Sequence, residues 1–178
     1  MPLHPAFLIV RAKIAEAKEA VAHMMINDAQ QKSLALSNPN FYSVSVHAEC
    51  MATNVQGLYT NLEGILKSLT NTIDGFTPGG ESSHRDLLLQ VSMPTDDRSP
   101  IIQQETLKGL FQLLRFRHAM RNNYAGDLRS SDVFDNVANA GKISAKFFED
   151  IETFVQSFQE DERQDSEENP SPYRPGKI

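Results

Sequence analysis

Apolar residues recur at spacings of three and four along most of this chain, and no stretch alternates as a half-buried strand would. From about residue 6 to 31, strong helix formers place Phe7, Ile9, Val10, Ile14, Ala17, Val21, Met24 and Met25 on one broad face. The Ser37-Asn38-Pro39-Asn40 breaker ends that helix. A second long helix is predicted over about 42–73, with Val44, Met51, Val55, Leu58, Tyr59, Leu62, Ile65, Leu66, Leu69 and Ile73 inward. Residues 74–80 read as a loop from their Gly and Pro content, and Ser83 is expected to cap a short helix to about Val91. A second loop at 92–100 carries Pro94 and Pro100. Further helices follow over about 102–124 and 142–159, the latter burying Ile143, Phe147, Ile151, Phe154, Val155 and Phe158. The pattern predicts an all-α bundle of about five helices.

Composition sets the boundaries of that fold. The 178 residues suit one domain, taken as 1–159, while 160–178 are acidic, contain proline and lack apolar periodicity, so a disordered tail is expected there. No apolar run reaches the roughly 18 residues of a membrane span, and the amino-terminal segment lacks a signal peptide's organisation. A single cysteine, Cys50, fits a reducing cytoplasm and reads as a small core residue. The net charge of −6 is concentrated at one end. Residues 149–178 hold nine acids and three bases, leaving 14 of each in the other 148 residues. The low isoelectric point therefore does not exclude a nucleic-acid partner.

The candidate chemistry lies in residues 115–124. In the fourth predicted helix the stripe Leu107, Leu110, Phe111, Leu114 continues by the same steps onto Arg117, His118, Arg121 and Tyr124, with Asn122 beside them. The core face turns cationic. Two guanidiniums on such a face require buried carboxylates, water access or an anionic ligand. Two readings follow. Either Arg117 and Arg121 are satisfied by acids of the second helix, Glu49 or Glu63, or their planar forks hold phosphate. His118 gains interest from that company.

At these residues the chain resembles the HepT-like ribonuclease toxins of the HEPN superfamily, over about residues 41–158. Leu114-Arg115-Phe116-Arg117-His118-Ala119-Met120-Arg121-Asn122-Asn123-Tyr124 is similar to the family's Phe-Arg-His-x-x-Arg-(His or Asn)-x-Tyr segment. The stretch Gly57 to Glu63 is similar to its Tyr-Thr-(Gly)-x-Glu helix, and Ser83 to Leu88 to its His-(Arg)-x-Leu-Leu segment, without the tryptophan that often precedes that histidine.

The resemblance implies a HEPN-like bundle that forms a homodimer, bringing two copies of the motif into a shared basic cleft for RNA. It implies metal-independent cleavage, in which the ribose 2′-hydroxyl attacks the adjacent phosphodiester, with no cofactor. His118 is then the proton-transfer candidate, Arg117 and Arg121 the phosphate ligands, Arg115 a substrate contact, and Asn122 a source of a positioning hydrogen bond. Tyr124 matches the tyrosine to which a partner, the cognate minimal nucleotidyltransferase antitoxin, transfers AMP. Adenylate there would set negative charge beside Arg117 and Arg121 and obstruct phosphate. The chain departs from the superfamily's arginine, four to six residues, then histidine, because four residues after Arg117 the next position is Asn122. Either His118 has taken over the proton, or the protein is an RNA-binding or helical interaction module that cleaves little. His84 and Arg85 are assigned to the fold. His4, His23 and His47 lack carboxylates at ligand spacing, so no metal site is expected, and Gly79-Gly80 lacks the ending of a P-loop.

Overall fold

A computed structural model describes residues 5–122 and 129–168. Five α-helices appear in order: α1 (Pro5–Ser37), α2 (Val44–Ile73), α3 (Ser83–Ser92), α4 (Gln104–Asn122) and α5 (Ser130–Glu168). One 3-10 turn, Pro39–Phe41, separates the first two. No strand occurs among the described residues, so the chain is all-α as its periodicity predicted.

Helix α2 is the central element and packs against each of the other four. Its inward positions Met51, Val55, Leu58, Tyr59, Leu62, Ile65, Leu66 and Leu69 are each 2% exposed or less, an apolar face following the sequence spacing. Ser43 starts it by accepting a hydrogen bond from the Val46 amide. Helix α1 runs back along α2. Lys13 Nζ reaches Ser68 Oγ at 2.5 Å near one end, and Asp28 meets His47 near the other. On α1, Phe7, Val10, Ile14, Ala17 and Met24 are buried, whereas Ile9 and Met25 are exposed, so the inward face is narrower than expected. Val44 is exposed too, and so is Cys50, which the burial of His47, Ala48, Met51 and Ala52 turns outward rather than into the core.

The largest departure is α5, which begins at Ser130 instead of about 142. Asn, Asp, Ser and Gly in residues 130–141 have weak helix propensity, yet Val133, Val137 and Ala140 are buried at helical spacing, and packing outweighs that weakness. The helix continues through residues 160–168, and the rest of the expected tail lies outside the described residues. Helices α4 and α5 approach closely at Gly109. A Cβ there would lie 2.7 Å from Ile143 Cγ1.

Helix α3 is short, and its connections fix its position. The position before it falls to Ser82, not Ser83, and the Ser82 hydroxyl donates to the Asp86 carboxylate. Gly75, with φ +65°, follows the Asp74 C-cap and turns the chain away from α2. Arg98 ties both loops together. Its Nε and Nη2 donate to Asp74 Oδ1 at 2.6 Å and Oδ2 at 2.8 Å, and its other N–H groups reach the carbonyls of Gln90, Met93 and Ser99. Burial pushes the Asp74 carboxyl up, but the hydrogen bonds from Arg98 and Gln90 and the guanidinium charge outweigh it, holding that group below its ordinary value. No described helix is long and apolar enough to cross a membrane.

Candidate functional site

Three helices meet at the carboxyl-terminal end of α4. Helix α2 contributes Tyr59, Glu63 and Lys67, one face of which is set by the burial of Leu62 and Leu66 between them. Helix α3 contributes His84, one turn before the buried pair Leu87 and Leu88. Helix α4 contributes Arg117, three residues beyond Leu114 on the inward stripe.

These side chains form a chain of contacts. Glu63 is 4% exposed, and its Oε1 accepts a hydrogen bond from His84 Nδ1. His84 Nε2 lies 3.0 Å from Arg117 Nη1. A guanidinium only donates, so Nε2 accepts and the proton of a neutral His84 sits on Nδ1, where Glu63 receives it. Lys67 Nζ, 3.4 Å from Glu63 Oε2, shares the carboxylate. The Arg117 guanidinium also stands 5.8 Å from the centroid of the Tyr59 ring, within reach of a cation–π attraction. Arg117 Nε and the Tyr59 hydroxyl are both buried without a hydrogen-bond partner. Burial, and next the negative charge of Glu63, raise the Tyr59 pKa well above its ordinary value, partly offset by Arg117. Tyr59 therefore stays a neutral phenol near neutral pH.

The other expected site residues are placed differently. His118 is exposed, its ring 6.3 Å from that of His84 and nearly perpendicular to it. Arg115 and Arg121 are exposed as well. The periodicity that put Arg117, His118 and Arg121 on one core-directed face is thus met by one of the three: Arg117 turns inward and the other two face solvent. Asn122 ends α4, its side chain outside the described residues, as is the whole of Tyr124.

Of the two readings left open for Arg117, the structure bears on the first. A buried acid of α2 does stand behind it, Glu63 and not the exposed Glu49, but His84 intervenes. Sequence reasoning assigned His84 to the fold; its contact with Arg117 is a feature of the α3–α4 packing. The motif signal that could have found it was present in the His-(Arg)-x-Leu-Leu segment.

A second polar cluster lies at the α1–α2 junction. His47, with no carboxylate at ligand spacing in the sequence, has its Nε2 3.1 Å from Asp28 Oδ1 across the helix pair, off the line of a hydrogen bond. Lys32 Nζ binds Asp28 Oδ2 at 2.6 Å, and Tyr42 Oη lies 3.1 Å from His47 Nδ1. His4 falls outside the described residues, among which no group of three or more His, Cys, Asp or Glu could hold a metal ion.

Residues 50–158, more than half of the chain, match a family profile described as HepT-like protein. No curated protein and no solved structure matches the chain.

Proposed function

The chain belongs to the HepT-like protein family of the HEPN superfamily, and on that premise we propose that it is the toxin of a toxin–antitoxin pair, an endoribonuclease acting on RNA without a metal. The observation that carries the reading is a guanidinium held in place near the end of α4, Arg117 against His84 and Tyr59, with His118 exposed beside His84 and Arg115 and Arg121 exposed on the same stretch of helix. Such a set offers phosphate several cationic groups and one exposed imidazole.

In the proposed reaction the RNA 2′-oxygen bonds to the adjacent phosphorus as its proton leaves, and the bond to the 5′-oxygen breaks as that oxygen gains a proton. The products are a 2′,3′-cyclic phosphate and a free 5′-hydroxyl. His118 handles the proton, Arg117 and Arg121 stabilise charge developing on the phosphoryl oxygens, Arg115 contacts the flanking strand, and Asn122 supplies a positioning hydrogen bond. A homodimer would bring two such ends together. The cognate minimal nucleotidyltransferase would silence the site by placing AMP on Tyr124, adding charge and bulk beside the arginines.

Purified protein is expected to cut RNA in EDTA, and His118→Ala to slow cleavage by about 10²–10⁴-fold, the range for loss of a general acid or base. Undiminished cleavage in both His118→Ala and Arg117→Ala would sink the assignment. The asparagine at position 122, where the superfamily has histidine, favours a second reading as an RNA-binding module without cleavage. That reading predicts binding that weakens steeply with salt and no new RNA ends.

A further inference from the structure

We infer that His84 is a positioning residue for Arg117, and that Glu63 sets the tautomer in which it can do so. The inference rests on the RNA-binding reading above and adds the part of the site that readies the guanidinium for phosphate.

A cation that is to meet phosphate must be fixed without being neutralised. A direct Glu63–Arg117 ion pair would hold the guanidinium but cancel its charge and occupy its fork. Here the buried Glu63 ends on His84 Nδ1, and the neutral imidazole presents the lone pair of Nε2 to Arg117 Nη1 at 3.0 Å. One N–H of Arg117 is spent on orientation, and the charge stays available. Lys67, 3.4 Å from the same carboxylate, takes up part of the negative charge that would otherwise act on Arg117. The Tyr59 ring, 5.8 Å from the guanidinium carbon, supports the cation from another side without accepting a proton or an ion pair. The groups facing His84 are therefore Glu63 on α2 and Arg117 and His118 on α4. In the opposite tautomer Nε2–H would point at a donor, and a protonated ring would set one cation against another. Either state breaks the contact.

The test is the affinity of the full chain for a short single-stranded 2′-O-methyl RNA, which cannot be attacked, measured by fluorescence anisotropy at fixed salt. Arg117→Ala and His84→Ala are expected to weaken binding to a similar degree, about tenfold, as loss of one charge-assisted contact does. His84→Gln, whose amide oxygen stands where Nε2 stood, recovers most of that affinity. His84→Asn, which can satisfy Glu63 but cannot reach Arg117, does not. A residue that only satisfied Glu63 would give the reverse order, and that order overturns the inference. Weaker binding in Arg117→Ala with wild-type binding in His84→Ala overturns it while leaving the functional reading intact. Wild-type binding in Arg117→Ala refutes both. Independently of any variant's folding, ¹⁵N ring shifts of His84 in the wild-type protein are expected to show a protonated Nδ1 and an unprotonated Nε2 near neutral pH. An imidazolium, or the Nε2–H tautomer, rejects the proposal.

Discussion

Replacing Arg98 by alanine tests how the short helix that carries His84 is held. The Arg98 side chain is 1% exposed and spends its N–H groups on both Asp74 oxygens and on the carbonyls of Gln90, Met93 and Ser99. Truncation removes these contacts together. It leaves a carboxylate only 12% exposed with Gln90 Nε2 as its remaining partner, and the Met93 and Ser99 carbonyls short of a donor, while Gln90 keeps the Met93 amide. Breaking a buried pair from one side costs about 3–5 kcal/mol, and the partial exposure of Asp74 sets the expectation at the lower end. In a domain of this size a loss of about 3 kcal/mol lowers Tm by roughly 6–12 °C. The pH dependence has a definite sign. The folded Asp74 pKa lies below its unfolded value of about 3.9, so its stabilisation is complete above that value and is lost as pH falls through the folded one. Without Arg98, burial dominates and the carboxyl is pushed up, so acidification relieves the variant while it costs the wild type. Thermal unfolding by circular dichroism should show the full gap at pH 7 and a smaller gap below about pH 4. A variant melting within about 2 °C of wild type at pH 7, equivalent to under about 1 kcal/mol, would refute the staple, as would a gap that widens in acid.

Three further outcomes follow from packing. Gly109→Ala should destabilise by about 1–2 kcal/mol despite its better helix propensity, because the new methyl meets the β-branched Ile143 at 2.7 Å. Adding Ile143→Ala to it should cost less than the sum of the two single changes, and strict additivity in denaturant melts would count against the clash. Tyr59→Phe should be neutral or stabilising by about 1 kcal/mol, since the hydroxyl it removes is buried without a partner, and a clear loss of stability in urea titration would show that a partner exists. Phe147→Ala, at a position 0% exposed, should cost about 3–5 kcal/mol, and a change below about 1 kcal/mol would mean that this part of α5 is not core.

Much of this architecture is legible in the sequence alone. Helices α1, α2 and α3 stand where periodicity and breakers put them, because runs such as Leu58 to Leu69 can bury their apolar face in only one conformation. The start of α5 was not legible, since Asn136, Asn139 and Gly141 have weak helix propensity, and only the neighbours of Val133, Val137 and Ala140 make the helix worth forming. Periodicity also misjudged edges. Ile9, Met25, Val44 and Cys50 lie at spacings that fit an apolar face but beyond the width that the adjacent helices cover.

The candidate site divides in the same way. Sequence alone located the cationic end of α4 and named Arg117, because an interrupted apolar stripe is a one-dimensional pattern. That His118, Arg115 and Arg121 face solvent while Arg117 turns inward depends on where α2 and α3 end against α4. The Glu63–His84–Arg117 chain joins residues 21 and 33 positions apart, and its tautomer follows from which nitrogen faces which helix. Periodicity determines which side of a helix is apolar; only the packed bundle decides which polar groups lie within hydrogen-bonding distance, because that distance is set by helices meeting in space.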